Sequence, residues 1–134
     1  TMVEVLGALG SRHVLAFHGH GGLDELSTTG ENFVVELRDG KISEFRAGPE
    51  AIGVPQARME DLLGGTPQEN AQIARDVLGG AKGPKRDAVL FNSAAALFAA
   101  DVASSLPDGA RRAAEAIDSG AALRKLEQLA AASA

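Results

Sequence analysis

The chain has 134 residues, of which 45% are hydrophobic and 23% are charged, so a single domain with a real core is expected and a disordered chain is disfavoured. The formal net charge is −5 and no stripe of lysine and arginine is present, which disfavours a nucleic-acid partner because phosphate binding needs clustered positive charge. The absence of cysteine excludes disulfides and thiolate metal sites and suits a reducing, cytoplasmic location, and no apolar run approaches the roughly 20 residues that span a bilayer.

The beginning of the chain predicts a short helix and then a buried strand. Residues 2–9 are expected to be helical, with Val5, Leu6 and Leu9 on one side. This segment lacks the basic start and long apolar run of a signal peptide. Residues 12–18 form a compact apolar run, which predicts a strand buried on both faces in the interior of an α/β sheet.

A β-hairpin is predicted next, over residues 32–38 and 41–46. The two runs are joined by Asp39-Gly40, and this dipeptide between apolar runs is a strong local hairpin signal. After the hairpin the pattern becomes helical.

The second half of the chain carries helix-start signals. Thr66 is placed to cap a helix, with Pro67 as its first residue and Glu69 as the capping-box partner, and this helix should reach about Leu78. Residues 86–102 predict a helix that is apolar almost all round, so we expect it to be covered on most of its sides.

Two more helices follow, and together they leave the sheet short of strands. Ser105 and Asp108 predict a helix that runs to about Ile117, and residues 118–120 break the chain before a final helix. One buried strand and one hairpin are too few to form the sheet that so many apolar helices need. We therefore interpret residues 1–134 as a single partial domain, a piece of a larger α/β domain.

The loop after the first strand is the strongest candidate for chemistry. In α/β folds ligands gather beyond the carboxyl ends of strands, and here that position is occupied by Asp24 and Glu25. Adjacent carboxylates can hold Mg²⁺, which prefers oxygen ligands and commonly shares them with substrate phosphates. The alternative is a pair of solvated acids near a turn. The glycines of residues 19–22 are compatible with phosphate binding but do not match a phosphate-loop motif.

Other polar residues are interpreted as structural. The spacing of His13, His18 and His20 is not that of a zinc motif, so we expect His18 to bond backbone at the strand end and His20 to be exposed. Asn92 and Ser93 interrupt the apolar helix, and we expect them to make hydrogen bonds from helix to loop because buried polar groups need partners.

Five segments in the same order resemble the C-terminal part of anthranilate phosphoribosyltransferases. Residues 14–27 are similar to that family's strand and loop, with its Gly-Leu-Asp-Glu stretch, and residues 35–40 to its hairpin. Residues 64–71 resemble its Gly-Gly-Asp-Pro-Glu-Glu-Asn-Ala helix start, and residues 86–97 its Arg-Asp-Ala-Val-Leu-Leu-Asn helix. Residues 116–122 match its last helix break. Each piece alone is weak, but the ordered set is specific.

The resemblance implies the C-terminal portion of the large α/β domain of the nucleoside phosphorylase/phosphoribosyltransferase type. It implies transfer of a phosphoribosyl group from phosphoribosyl pyrophosphate to anthranilate in tryptophan biosynthesis, by a homodimer, with Mg²⁺ bound by Asp24 and Glu25. The family usually has acidic residues where His20 and Gly21 stand, which alters the local charge but leaves the Asp-Glu pair intact.

The resemblance covers only part of a family member. The family's Gly-Thr-Gly-Gly-Asp phosphate loop, its Lys-His-Gly-Asn motif, most of its anthranilate contacts and its N-terminal helical domain are absent from this sequence. We therefore assign no catalytic residue here and expect the chain to be inactive on its own. The alternatives are a pyrimidine-nucleoside phosphorylase of the same broad fold, which uses phosphate and does not require the acidic pair, and a non-catalytic half-domain that serves as a binding module.

Overall fold

A computed structural model describes residues 2–133, which form one three-stranded sheet and a set of helices. In chain order the helices and strands are α1 (Met2–Ala8), β1 (His13–His18), β2 (Asn32–Arg38), β3 (Lys41–Ala47), α2 (Met59–Leu62), α3 (Pro67–Leu78), α4 (Pro84–Ala99), α5 (Leu106–Asp118) and α6 (Ala121–Ala132). Two short 3-10 turns, His20–Gly22 and Pro49–Ile52, lie in the connections. Among the described helices, none is long and apolar enough to cross a membrane.

The sheet is antiparallel, in the order β1-β2-β3, and the predicted hairpin is confirmed as β2 and β3. The turn works because Asp39 and Gly40 both adopt positive φ, 46° and 80°, as a two-residue hairpin turn requires. Within residues 2–133 the strand β1 pairs only with β2 and is half-buried. Its burial on both faces stays a prediction for the larger α/β domain of which this chain is expected to be a piece.

Helix α1, which confirms the predicted helix over residues 2–9 to within a residue, packs through a face other than the one that carries Val5 and Leu9. Val3 is 1% exposed, whereas Val5 and Leu9 are 59% and 78% exposed. Gly7 lies four residues after Val3, one helical turn away, and a Cβ there would come within 2.9 Å of the Leu37 side chain on β2. The face formed by Val3 and Gly7 therefore contacts the sheet.

Helix α4 forms the centre of the molecule. Phe91 and Ala94 are fully buried, and Phe91 shares a core cluster with Val34 of β2. The expected cover on most sides of the helix is confirmed, although Val89 is 37% exposed. It also ends earlier than residue 102, because Asp101 adopts a left-handed conformation with φ of 55°.

Helices α4 and α5 approach each other closely. A Cβ on Gly109 would lie 2.7 Å from the Ala94 carbonyl oxygen and 2.8 Å from the Ala94 Cα, so no larger residue fits without separating the helices. An ion pair adds to this contact, because the buried Arg86 donates to Asp118 at 3.0 Å. Hydrogen bonding by Arg86, and then by Lys82, holds the pKa of Asp118 below its usual value.

Both predicted helix caps are confirmed. The Thr66 hydroxyl accepts the Glu69 backbone N–H at 3.3 Å, and the Glu69 carboxylate accepts the Thr66 backbone N–H at 2.7 Å, which completes the capping box. At the start of α5 the Ser105 hydroxyl accepts the Asp108 N–H at 3.3 Å. The backbone N–H of Ser104, followed by Arg111, lowers the pKa of Asp108 to about 2.

Candidate metal centre

The acidic loop, residues 19–31, leaves the end of β1 and carries the two predicted metal ligands. Asp24 and Glu25 are both exposed, as solvated acids near a turn would be. Neither carboxylate has a protein partner in the described part of the chain that would compete with a metal ion. Within residues 2–133 neither carboxylate makes a hydrogen bond or an ion pair with another side chain or with the backbone. Their oxygens are therefore available to a ligand.

Gly19 is required because the loop folds back against its own start. A Cβ at this position would lie 2.2 Å from the Glu25 carbonyl oxygen and 2.8 Å from that of Leu23. The Gly19 N–H donates to the Leu23 carbonyl at 2.9 Å and closes this turn. A close backbone approach, and not phosphate binding, is thus a sufficient reason for glycine here.

Asn32, the first residue of β2, holds two sides of the loop through a fully buried side chain. Its Oδ1 accepts the backbone N–H groups of His20 at 3.0 Å and of Ser27 at 2.7 Å. Its Nδ2 donates to the carbonyl of Ser27 at 3.0 Å and to that of Ala47 at 2.7 Å. The residues that precede and follow the acidic pair are therefore fixed to the sheet.

Asn92 confirms the expected hydrogen bonding from helix to loop, whereas no such bond of the Ser93 side chain is found among residues 2–133. Its Oδ1 accepts the Leu26 N–H at 2.9 Å, and its Nδ2 donates to the Leu26 carbonyl at 2.9 Å and to that of Ala88 at 3.0 Å. Leu26 itself is 2% exposed and packs on Phe91, so a hydrophobic anchor reinforces the polar one. Helix α4 thereby holds the residue that directly follows Glu25.

The histidines do not assemble into a metal site. His20 is exposed, as expected, and its Nδ1 lies 3.0 Å from the Thr29 hydroxyl. His18 is exposed too, but its expected bond to the backbone is not found among residues 2–133. The His13 ring has Nε2 2.9 Å from Glu36 and Nδ1 3.1 Å from Asp101, and it ties the sheet to the end of α4. Sequence reasoning missed this contact because its three members are far apart along the chain.

A cleft of about 680 Å³ opens beside the acidic loop, between that loop and helices α2, α3 and α4. Its walls include Glu25 from the loop and Lys85 from α4. The Lys85 ammonium group donates to the Leu63 carbonyl, which places a positive charge at the edge of the cleft. Most of the remaining lining is apolar and is contributed by Leu62, Ile73, Val77, Val89 and others.

The acidic pair fits one kind of metal better than the others. Within the described part of the chain, no three histidine, aspartate or glutamate side chains come together as a metal site. A tightly caged ion such as structural zinc needs about four protein ligands. Mg²⁺ commonly takes one or two carboxylates and completes its octahedron with water and substrate phosphates, which matches Asp24 and Glu25.

Comparison with known proteins places the chain in a family. Residues 1–123 match the model of the glycosyl transferase family, a/b domain. The chain is 51% identical over 128 residues to the anthranilate phosphoribosyltransferase of Methanococcoides burtonii, and 47% identical over 127 residues to that of Methanobrevibacter smithii. These matches cover 96% and 95% of the chain, but only 36% and 38% of the two relatives.

Solved structures agree with this placement. The anthranilate phosphoribosyltransferase of Thermus thermophilus superposes with a TM-score of 0.86 at 43% identity, over 95% of this chain and 37% of that one. The Saccharomyces cerevisiae enzyme in complex with PRPP and Mg superposes with a TM-score of 0.77 at 30% identity, over 86% of this chain and 33% of that one. The α/β fold class is therefore confirmed, and the chain belongs to the glycosyl transferase family through its a/b domain.

Proposed function

We propose that the full-length protein containing this chain transfers a phosphoribosyl group from phosphoribosyl pyrophosphate to anthranilate, giving N-(5′-phosphoribosyl)anthranilate and pyrophosphate. The observation that carries the proposal is the 51% identity to an anthranilate phosphoribosyltransferase over 96% of the chain. Related yeast structures contain PRPP and Mg, or 4-fluoroanthranilate. The chain spans little more than a third of these relatives, so the activity belongs to the whole protein.

The proposed role of this chain is to supply the metal ligands. Asp24 and Glu25 hold Mg²⁺ beside the cleft that Glu25 lines, and both carboxylates are exposed and free of other partners among residues 2–133. When bound, Mg²⁺ supplies the positive charge that neutralises the departing pyrophosphate. The anthranilate nitrogen bonds to the anomeric carbon, the bond from that carbon to pyrophosphate breaks, and the amine gives up a proton.

Three further expectations stay predictions of the resemblance. Homodimer assembly and a cytoplasmic location are expected for the whole protein. Residues 1–134 are expected to be one partial domain that lacks the phosphate loop. A preparation of this chain alone is therefore expected to show no turnover.

The assay that tests the function follows anthranilate fluorescence in the full-length product of the reading frame that encodes this chain. We expect a loss of signal that requires both phosphoribosyl pyrophosphate and Mg²⁺. A folded, intact protein that leaves the fluorescence unchanged would contradict the proposal. Phosphate-dependent release of base from thymidine or uridine would instead favour a pyrimidine-nucleoside phosphorylase, and inactivity in both assays would favour a binding module.

Substitution of the acidic pair tests the proposed metal ligands. Asp24→Asn and Glu25→Gln remove charge without changing side-chain size, and we expect each to weaken Mg²⁺-dependent turnover by more than about 100-fold, since even outer-shell partners are worth 10- to 100-fold. Glu31→Gln is the matched control, because Glu31 is an exposed acid of the same loop that pairs with Arg46 at 3.1 Å. Unchanged Mg²⁺ titration curves for both ligand variants would remove this assignment.

A further inference from the structure

We propose that Asn92 and Asn32 are positioning residues that set the Mg²⁺ affinity of the acidic pair by clamping the loop on both sides of it. The inference rests on the proposed function, because it concerns the same metal site. Neither asparagine touches the metal in this scheme. Each acts through the backbone of the loop that presents Asp24 and Glu25.

The first clamp fixes the residue next to Glu25. The side-chain amide of Asn92 pairs with both backbone groups of Leu26, at 2.9 Å in each direction. Its second N–H donates to the Ala88 carbonyl at 3.0 Å. If the amide were flipped, its NH₂ group would face the Leu26 N–H and its oxygen would face the two carbonyls, so every bond would be lost. The orientation of the amide is therefore determined, and the Leu26 peptide groups are held in one direction relative to α4.

The second clamp joins the beginning and the end of the loop. One oxygen atom, Oδ1 of Asn32, accepts from His20, which lies before the acidic pair, and from Ser27, which lies after it. The Asn32 Nδ2 also donates to the carbonyl of Ala47, so the clamp is attached to β3 as well. The two sides of the loop therefore cannot separate without breaking bonds to a fully buried amide.

Asp24 and Glu25 have free carboxylates in a loop whose backbone is held on both sides of them. Bonds to His20, Leu26 and Ser27 fix the path of the backbone, while the carboxylates between them make no bond within residues 2–133. A metal that binds such a pair does not have to order the loop first. Outer-shell partners that bond the ligating side chains typically account for 10- to 100-fold in metal affinity, and we expect clamps that act through the backbone to contribute about the lower end of that range.

A matched pairing elsewhere in the chain separates positioning from stability. Asn70 makes the same reciprocal pair with a peptide, because its Oδ1 accepts the Gly65 N–H at 2.8 Å and its Nδ2 donates to the Gly65 carbonyl at 3.1 Å. That pair is exposed and lies at the start of α3, and it makes no bond to the acidic loop. Removal of Asn70 should therefore cost stability without changing metal affinity.

The test compares Asn92→Ala, Asn32→Ala and Asn70→Ala in the full-length protein. Three quantities are measured: the Mg²⁺ concentration for half-maximal turnover, Mn²⁺ binding by electron paramagnetic resonance, and hydrogen exchange of the backbone. We expect the first two variants to raise the half-saturating Mg²⁺ concentration and to weaken Mn²⁺ binding by about tenfold or more. Peptides that cover residues 20–27 should exchange faster, and excess Mg²⁺ should restore most of kcat. Asn70→Ala, which removes a wall residue of the same cleft that makes no bond to the acidic loop, should lower the melting temperature and leave Mn²⁺ binding at the wild-type level.

Asn92→Asp keeps the inference testable if Asn92→Ala does not fold. Aspartate retains an acceptor for the Leu26 N–H but places a second oxygen against the carbonyls of Leu26 and Ala88. The added negative charge would by itself attract a cation, so weaker Mn²⁺ binding in this variant must come from lost positioning.

The outcomes distinguish the two proposals. A wild-type protein with no Mg²⁺-dependent transferase activity would remove the proposed function, whatever the variants do. A wild-type protein that is active and Mg²⁺-dependent, with folded clamp variants that keep the wild-type metal affinity, would overturn the positioning role and leave the function standing.

Discussion

The acidic loop and the contact between α4 and α5 both depend on α4, but they are held by different forces. The helix contact is apolar and tight, with Leu90 of α4 clustered with Ala113 and Ile117 of α5 and with Gly109 against the Ala94 backbone. The loop is held mainly by directional bonds from Asn92 and Asn32, with Leu26 as its apolar anchor. Changes in the helix contact should therefore alter stability alone, and changes in the loop should alter metal affinity.

Phe91→Ala should produce the largest loss of stability. Phe91 is 0% exposed and packs in the cluster that contains Val34 and Leu26. Removing a buried phenyl ring costs about 3–5 kcal/mol of unfolding free energy because a cavity remains. Urea unfolding of the full-length protein measures this change, and Val89→Ala on the same helix is the control because Val89 is 37% exposed. A loss below that of the control would show that the core is centred elsewhere.

Gly19→Ala should lower both the unfolding free energy and the Mg²⁺ affinity. The new methyl group would lie 2.2 Å from the Glu25 carbonyl, so the loop must move. We expect a loss of about 1–3 kcal/mol from overpacking, together with weaker Mg²⁺ dependence of turnover. A Mg²⁺ titration and a melting curve on the same preparation test both. Wild-type Mg²⁺ dependence in this variant would contradict the view that the path of the loop matters.

Thr66→Ala should cost about 1 kcal/mol of unfolding free energy without changing the metal site, because it removes the hydroxyl that caps α3. Thr66→Ser keeps the hydroxyl and serves as the control. Chemical denaturation compares the two, and equal stability of both variants would argue against a role for the capping box in solution.

Asp108→Asn should have the smallest effect, and that effect should depend on pH. The folded protein lowers the pKa of Asp108 from 3.8 to about 2, through the Ser104 N–H and then Arg111. A lowered pKa in the folded state contributes stability above the unfolded value, and this contribution is lost as pH falls toward 2. The stability difference between wild type and variant should therefore be present at pH 6 and fall away below pH 4. A difference that is constant with pH would contradict the assignment.

Local signals in the sequence predicted the local structure well. The Asp39-Gly40 hairpin and the caps at Thr66 and Ser105 are confirmed, because each depends on residues that are neighbours along the chain. Whether β1 is an edge strand or an interior strand of the whole domain was not predictable in the same way. That depends on which strands lie beside residues 13–18, and an apolar run does not record it.

The candidate site was predicted in part. Asp24 and Glu25 follow a strand, and that placement could be inferred from the pattern. The bond between the loop and Asn92 could not be predicted, because Leu26 and Asn92 are 66 residues apart along the chain. The sequence did indicate that Asn92 is hydrogen-bonded, since it interrupts an apolar helix. The role of Asn32 could not be predicted, because asparagine at the start of a strand is also a common turn residue. Only the structure shows the five hydrogen bonds that its side chain makes.

Metal binding by the acidic pair is the claim on which the account depends most. The most direct measurement is Mn²⁺ binding by electron paramagnetic resonance to the full-length protein with phosphoribosyl pyrophosphate, comparing wild type with the Asp24→Asn/Glu25→Gln double variant. We expect the wild-type protein to lower the signal of free Mn²⁺ below that of a protein-free solution of Mn²⁺ and phosphoribosyl pyrophosphate, and the folded double variant to leave it at the protein-free level. Equal binding by both proteins would contradict the account and place the metal elsewhere.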